Sequence, residues 1–269
     1  VQDELMMEGM NEKGLSAGLF YFPDYGRYEE YSEANHETNI SDFQLVSYIL
    51  GRCATVDEVK AEIARVHIHG FDPRSSTVHW RFAEPSGRQI VLEIIDGKCV
   101  FYENTLGVLT NSPSFDWQLT NLNNYVNLLP GRTEPHTLGN MSLSSFGGGS
   151  AMLGLPGDFT PPSRFVRAAF FQNTAPQKPN AEGSVFTAFH ILGSMEIPIG
   201  AQFAVGEAPA DIPSATQCTC VSDMSGLRFY YRSMYDGGIR CIDLKEIDFK
   251  KIGLKSGPLI PSRKEFVHY

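Results

Sequence analysis

Two tight turns set among strand-like runs constrain this chain more than any other feature it has. After Pro73 the apolar residues change from helical to strand spacing, over 77–83, 89–95 and 99–103. Pro85-Ser86-Gly87 separates the first two runs and Asp96-Gly97 the last two. Asp-Gly tolerates the positive φ that a two-residue hairpin demands, so the runs it joins must be antiparallel neighbours. Such a meander needs a layer packed against its apolar side.

Material for that layer lies upstream. Phe43, Val46, Ile49 and Leu50 recur at helical spacing, with Gly51 placed as a C-cap. Thr55-Val56-Asp57-Glu58 reads as a capping box, and Val59, Ile63 and Val66 continue its apolar stripe. Before these helices, the turn chemistry of 9–15 leads into Leu19-Phe20-Tyr21-Phe22, a strand that Pro23 ends. Downstream, 129–158 is rich in Gly, Pro and Ser and reads as a long irregular excursion, the kind that is functional or engaged with a partner. A helix is expected near Ser163, with Phe165, Val166, Ala169 and Phe170 on its apolar side, and another over 184–192. Strands at 216–221, 227–232 and 239–244 follow, with 222–226 and Asp236-Gly237-Gly238 as turns. This order predicts an α+β fold in which two antiparallel sheets are stacked with helices outside. No linker or repeat divides it, so 1–269 reads as one domain.

The net charge of −9 argues against nucleic acid as a partner and disfavours an anionic membrane surface. No run reaches the 18 or more apolar residues of a membrane-spanning helix. Val1-Gln2-Asp3-Glu4 does not resemble a signal peptide, and no compartment can be assigned. Five cysteines, odd in number and without CxxC spacing, speak against a zinc site or a disulfide framework and predict buried free thiols.

Three places could carry chemistry. Thr110-Asn111-Ser112-Pro113 follows the apolar Val108-Leu109, and an Asn amide there can donate to an oxyanion, although an isolated Asn in such a place is more often a turn former. Ser163 could cap its helix, leaving Arg164 in a first turn where the dipole disfavours a cation. A carboxylate facing that guanidinium is expected, against the alternative of a solvated Arg. The aromatics from Phe20 through Tyr21, Phe22, Tyr25 and Tyr28 to Tyr31 could line a pocket for a bulky apolar ligand, or simply pack. His67 and His69 lack a third metal ligand, Cys218 and Cys220 fit one face of a buried strand, and Ser145 lacks a nucleophile elbow. No metal or cofactor is expected.

Three long motifs carry a resemblance. Gly9-Met10-Asn11-Glu12-Lys13-Gly14-Leu15 is one, Gly107-Val108-Leu109-Thr110-Asn111-Ser112-Pro113-Ser114-Phe115-Asp116-Trp117 with Thr120-Asn121-Leu122 the second, and Gly154-Leu155-Pro156-Gly157-Asp158-Phe159-Thr160-Pro161 with Ser163-Arg164-Phe165 the third. Together with Phe189-His190-Ile191-Leu192 and Ile197-Pro198, they resemble the choloylglycine hydrolase family of N-terminal nucleophile hydrolases. The resemblance implies an αββα four-layer sandwich and hydrolysis of a linear amide by a terminal cysteine whose own α-amine accepts the proton. It implies that Asn111 helps form the oxyanion hole, that Arg164 lies by the nucleophile, and that Tyr21 is a pocket residue whose backbone N–H faces the oxyanion. Phe20, Tyr21 and Phe22 would contact the substrate.

In that family the nucleophile lies well upstream of the Asn-Glu-Lys-Gly motif, so its segment is expected before Val1, and the chain alone is expected to be inactive. The leading substrate class is conjugated bile salts, releasing glycine or taurine. The alternative is penicillin V, since Tyr at position 21 is more typical of that branch. A catalytically inactive fragment is the third reading. Segment 129–158 resembles the family's assembly loop and implies a homo-oligomer, a tetramer.

Overall fold

The computed structural model describes residues 5–72, 76–207 and 214–257; Pro73 and the opening Val1-Gln2-Asp3-Glu4 lie outside the described residues. The large sheet is antiparallel throughout. It is built from β1 (Glu8–Met10), β2 (Ser16–Tyr21), β5 (Val78–Ala83), β6 (Gln89–Ile95) and β7 (Lys98–Glu103), in that spatial order. Between β2 and β5 the chain makes a short parallel pair, β3 (Asn39–Ser41) with β4 (His67–His69), and two helices, α1 (Leu45–Leu50) and α2 (Val56–Ile63).

The meander forms for the reason its turns suggest. Asp96 and Gly97 have φ of 49° and 72°, the left-handed pair of a tight hairpin, and Ile95 lies opposite Lys98. Alternation then sorts the side chains. Ala17, Leu19, Val78, Trp80, Phe82, Ile90, Leu92 and Ile94 share one face, packed against Leu45, Val46 and Ile49 of α1 and Val56, Val59 and Ile63 of α2. Trp80 and Phe82 are fully buried, each worth about 1.5–3 kcal/mol or more by area removed from water. Thr55 caps α2 by accepting the Glu58 N–H, while the Glu58 carboxylate returns to the Ala54 N–H.

The opposite face of the large sheet carries Val91, which joins a second core with Val108, Phe115, Phe165 and Ala169. Phe115 comes from α3 (Phe115–Asn121), Phe165 and Ala169 from α4 (Pro161–Thr174), and Val108 from the segment between β7 and α3. The last antiparallel sheet, β10 (Cys218–Asp223), β11 (Arg228–Ser233) and β12 (Asp236–Asp243), packs on α5 (Ala181–Gly193). Thr219 and Arg232 are cross-strand partners on the α5 side, where the Arg232 guanidinium sits 5.3 Å over the Phe189 ring. Cys220, on the other side of β10, is close enough to Glu8 and Arg81 of the large sheet to feel their charges. Helices, large sheet, small sheet and helices therefore follow one another, the αββα order.

The Asn-Glu-Lys-Gly motif has a structural explanation. Asn11 donates to the Leu50 and Cys53 carbonyls at 2.9 and 2.8 Å and accepts from the Lys13 and Leu15 N–H groups, tying the β1–β2 turn to the end of α1. Gly14 has φ 82°, and a Cβ there would lie 2.5 Å from the Met224 carbonyl oxygen, so only glycine lets this turn approach the small sheet.

Several expectations need correction. Helix α4 begins at Pro161 with Thr160 as N-cap, because a proline at the first helical position needs no N–H partner; Ser163 lies inside the helix. Asp236-Gly237-Gly238 is strand, not turn. The hairpin closes through Met234-Tyr235, with Ser233 opposite Asp236, and the Asp236 carboxylate takes the Gly238 N–H. The excursion at 129–158 contains a hairpin, β8 (His136–Leu138) with β9 (Met141–Leu143). Of the five free thiols only Cys53 is buried: Cys99 and Cys241 are exposed, and Cys218 and Cys220 are half-buried. Among the described residues no helix is long and apolar enough to cross a membrane.

Candidate functional site

The inner face of the large sheet ends, at one end of β2, β5 and β6, in a polar cluster that carries the loop 110–115. This loop is held from several sides. Thr110 donates its hydroxyl to the Pro161 carbonyl, and Ser112 donates to the Pro23 carbonyl at 2.6 Å. Before it, Asn104 brackets the turn by donating to the Val108 carbonyl and accepting the Gly107 N–H. The Ser112–Pro113 peptide is cis. Gln118 of α3 donates to the Asn111 carbonyl at 3.4 Å.

The Asn111 side chain joins the three residues singled out in the sequence. Arg164 Nη2 donates to Asn111 Oδ1 at 2.7 Å, and Asn111 Nδ2 donates to the Tyr21 carbonyl at 2.7 Å. A guanidinium offers only donors and a carbonyl only accepts, so the amide orientation follows from its two neighbours. One N–H of Nδ2 is used, and the second has no partner among the described residues. That second N–H is free to meet an oxygen acquiring negative charge.

Arg164 stands in the first turns of α4, with Nε on the Phe159 carbonyl at 2.9 Å. Among the described residues no carboxylate pairs with it, contrary to the sequence expectation; its acceptors are two neutral oxygens. Burial, and then the neighbouring Arg167 charge, push its pKa below the usual arginine value. Among the described residues the guanidinium is therefore held in the site without a carboxylate bonded to it. Arg167 is spent on structure, donating to the Pro156 and Asp158 carbonyls at 2.8 and 2.5 Å. Ser163, at first read as a cap, donates instead to the Asp158 carboxylate at 2.7 Å and steadies the approach to the helix.

Phe20, Tyr21 and Phe22 separate by burial. Tyr21 is 56% exposed, Phe20 half-buried, and Phe22 has no exposed surface. Phe22 N–H donates to the Thr77 carbonyl and Leu19 N–H to the Met7 carbonyl, so antiparallel alternation turns the Tyr21 N–H away from β5, beyond the pairing with β1. His67 is engaged by Glu29 and His69 lies edge-on to Tyr31, well apart from this cluster in the chain.

Sequence reasoning missed His79 and Glu93, the polar pair beneath the loop. Both side chains are wholly buried, with His79 Nδ1 3.0 Å from Glu93 Oε1. Their signal was an ionisable residue set directly between two large apolar neighbours in each strand, Val78 and Trp80 for His79 and Leu92 and Ile94 for Glu93.

Comparison with known proteins agrees with the motifs and the layering. Residues 1–257 match the family described as linear amide C–N hydrolases, choloylglycine hydrolase family. The chain belongs to the choloylglycine hydrolase family. Like other choloylglycine hydrolases, it is a hydrolase of linear amides. Among its relatives in the family is a bile salt hydrolase/transferase of Clostridium perfringens, 35% identical over 89% of this chain and 72% of the relative. The crystal structure of a variant conjugated bile acid hydrolase from Clostridium perfringens superposes with a TM-score of 0.82, at 31% identity, over 98% of this chain and 80% of that one. The structure of penicillin V acylase from Agrobacterium tumefaciens also superposes, with a TM-score of 0.70 at 25% identity, covering 91% of this chain and 68% of that one.

Proposed function

We propose that this chain forms the oxyanion-binding and substrate-positioning part of an enzyme that cleaves conjugated bile salts, releasing glycine or taurine. The observation that carries the reading is the Arg164–Asn111–Tyr21 hydrogen-bond chain, which leaves one amide N–H of Asn111 unused beside a guanidinium that no carboxylate pairs with among the described residues. The nucleophile is assigned to a cysteine outside this stretch. None of the five cysteines here hydrogen-bonds Asn111 or Arg164.

In this reading the thiol proton passes to the cysteine's own α-amine and the sulfur adds to the amide carbonyl carbon. The carbonyl electron pair moves onto oxygen, where the second Nδ2 N–H of Asn111 and the Tyr21 N–H receive it. The guanidinium of Arg164 favours both the thiolate and the oxyanion by its field. Collapse breaks the C–N bond, the departing amine takes the proton, and water then hydrolyses the thioester. No cofactor enters.

Penicillin V is the second reading, favoured by one observation: position 21 is Tyr, and more than half of its side chain is exposed where substrate would approach. The test is a side-by-side assay on the complete protein containing this chain. Glycine or taurine release from conjugated bile salts should exceed release of phenoxyacetate from penicillin V, and the reverse ranking would transfer the assignment to the acylase. The 269-residue chain alone should be inactive; robust turnover by it, surviving Cys→Ala at all five positions, would end the terminal-cysteine reading.

The hairpin arm is proposed to pack on a second copy of this chain, in a tetramer. Leu138, Met141 and Leu153 are 69%, 64% and 84% exposed on an arm with little cover of its own, more apolar surface than a free loop commonly presents. Light scattering should give a tetramer that Leu138→Lys with Met141→Lys lowers in mass; a monomeric parent protein would refute it.

A further inference from the structure

His79 and Glu93 lie where stability alone gives little reason for them. His79 is flanked by Val78 and Trp80 and Glu93 by Leu92 and Ile94, and both side chains have no solvent exposure. Replacing a buried ionisable pair by apolar residues is often neutral or stabilising, so such a pair calls for another explanation. One Glu93 oxygen, Oε2, is buried with no partner, which adds to its cost.

The other contacts of the pair supply that explanation. His79 Nε2 lies 3.0 Å from the Thr110 carbonyl, the group immediately before Asn111. Glu93 Oε1 accepts the Phe115 N–H at 2.9 Å, at the far end of the same loop. The pair therefore grips the loop on both sides, with Asn111 between the two grips. A third contact sets the partner segment. Phe22 stacks on the His79 ring at 4.3 Å, with only 9° between planes, and Phe20 meets the ring edge at 6.1 Å. Tyr21, whose carbonyl orients the Asn111 amide, is the residue between those two rings.

We infer that His79 and Glu93 are positioning residues, registering Asn111 against Tyr21 so that the free amide N–H points at the oxyanion. Both ring nitrogens face oxygens, Thr110 O and Glu93 Oε1, and because a carbonyl only accepts, Nε2 is the donor toward the loop. The pair touches no reacting atom and acts through the loop backbone. The inference rests on the oxyanion reading of Asn111.

The test is the combined variant His79→Phe with Glu93→Leu, in the complete protein. It keeps an aromatic ring under Phe22 and removes the buried ionisable pair, so its Tm should match or exceed that of the parent. Its kcat should fall between about tenfold and a hundredfold, as expected for a catalytic group displaced by a fraction of an ångström, with KM unmoved. In an Asn111→Ala background the same two substitutions should cost no further kcat, because the group they position is gone. Unchanged kcat in the folded variant, or an equal further loss in the Asn111→Ala background, would overturn the proposal. If the combined variant does not fold, Glu93→Gln carries the test: kcat several-fold lower, KM unmoved, and the drop absent beside Asn111→Ala. Full activity in Asn111→Ala alone would remove the oxyanion reading together with this one. Full activity in the apolar pair beside a damaged Asn111→Ala removes only the positioning role.

Discussion

Asn111→Ala separates catalysis from stability more cleanly than any other change in this site. The substitution deletes two ground-state hydrogen bonds, one from Arg164 and one to the Tyr21 carbonyl, both at 2.7 Å. A neutral bond of this kind contributes about 0.5–1.5 kcal/mol net, and one from a charged donor about 1.5–3 when desolvated. The Tyr21 side of the contact is exposed, so water replaces the lost partner there and the cost falls toward the low end. Folding stability should drop by about 1–2 kcal/mol, a Tm shift of a few degrees for a chain of this size. On the proposed oxyanion role, the transition state loses more. Removing one preorganised oxyanion donor costs about 2.7–4 kcal/mol, or about 10²–10³ in kcat. Asn111→Asp is the sharper companion. It keeps an acceptor for Arg164 but sets a carboxylate oxygen against the Tyr21 carbonyl and offers the oxyanion no N–H. Amide cleavage should be read by amine release in the complete protein, with Tm from calorimetry on the same samples. Aspartate should be at least as damaging as alanine. Near-normal kcat in either folded variant, or a kcat loss no larger than the stability loss accounts for, would refute the reasoning.

Tyr21→Asn should shift the kcat/KM ratio toward bile salts over penicillin V by about tenfold, about 1.4 kcal/mol of differential binding, and an unchanged ratio would place the choice elsewhere. Phe165→Ala should cost about 3–5 kcal/mol in denaturant unfolding, since Phe165 is fully buried against Phe115 in the core beneath the site. A cost below 1 kcal/mol would show that this core is not packed as described. Donors from Thr160 and then Ser163 hold the Asp158 carboxyl down to about 2, against an ordinary 3.8. Its folded pKa is depressed, so its contribution is whole above about pH 4 and disappears as pH falls toward 2. The stability difference between parent and Asp158→Asn should follow that window, and a difference that grows below pH 3 would contradict it.

Much of the fold could be read from the sequence because local chemistry and tertiary demand coincide. Asp96-Gly97 can hardly be anything but a tight hairpin turn, and Thr55 with Glu58 announces a helix start. Where they diverge, the reading failed. Gly237 and Gly238 look like a turn, yet Met234-Tyr235 turns the chain because the Ser233–Asp236 pairing closes there. Helix α3 was missed because its seven residues lack a long apolar stripe and lean on Phe115 alone among large apolar anchors. Ser163 looked like a cap until Pro161 claimed the first helical position. Asn111 and Arg164 were found through motifs rather than geometry, since residues 53 apart show no sign of touching. His79 and Glu93 escaped for the same reason: each is a polar residue between apolar neighbours in its strand, and their meaning lies in a loop neither is near in sequence.

The Arg164–Asn111–Tyr21 chain also bears on when the site comes into being. Its two links close loops of 53 and 90 residues, and one net hydrogen bond offsets only part of the chain entropy lost in either closure. Neither link can lead the folding of the chain. They form after β2, the loop beyond β7 and α4 have already been brought together by the sheet and its two cores. Binding competence is thus a late product of folding and an early casualty of loosening. Mild denaturant should erase capture of an anionic transition-state mimic before it erases the sheet.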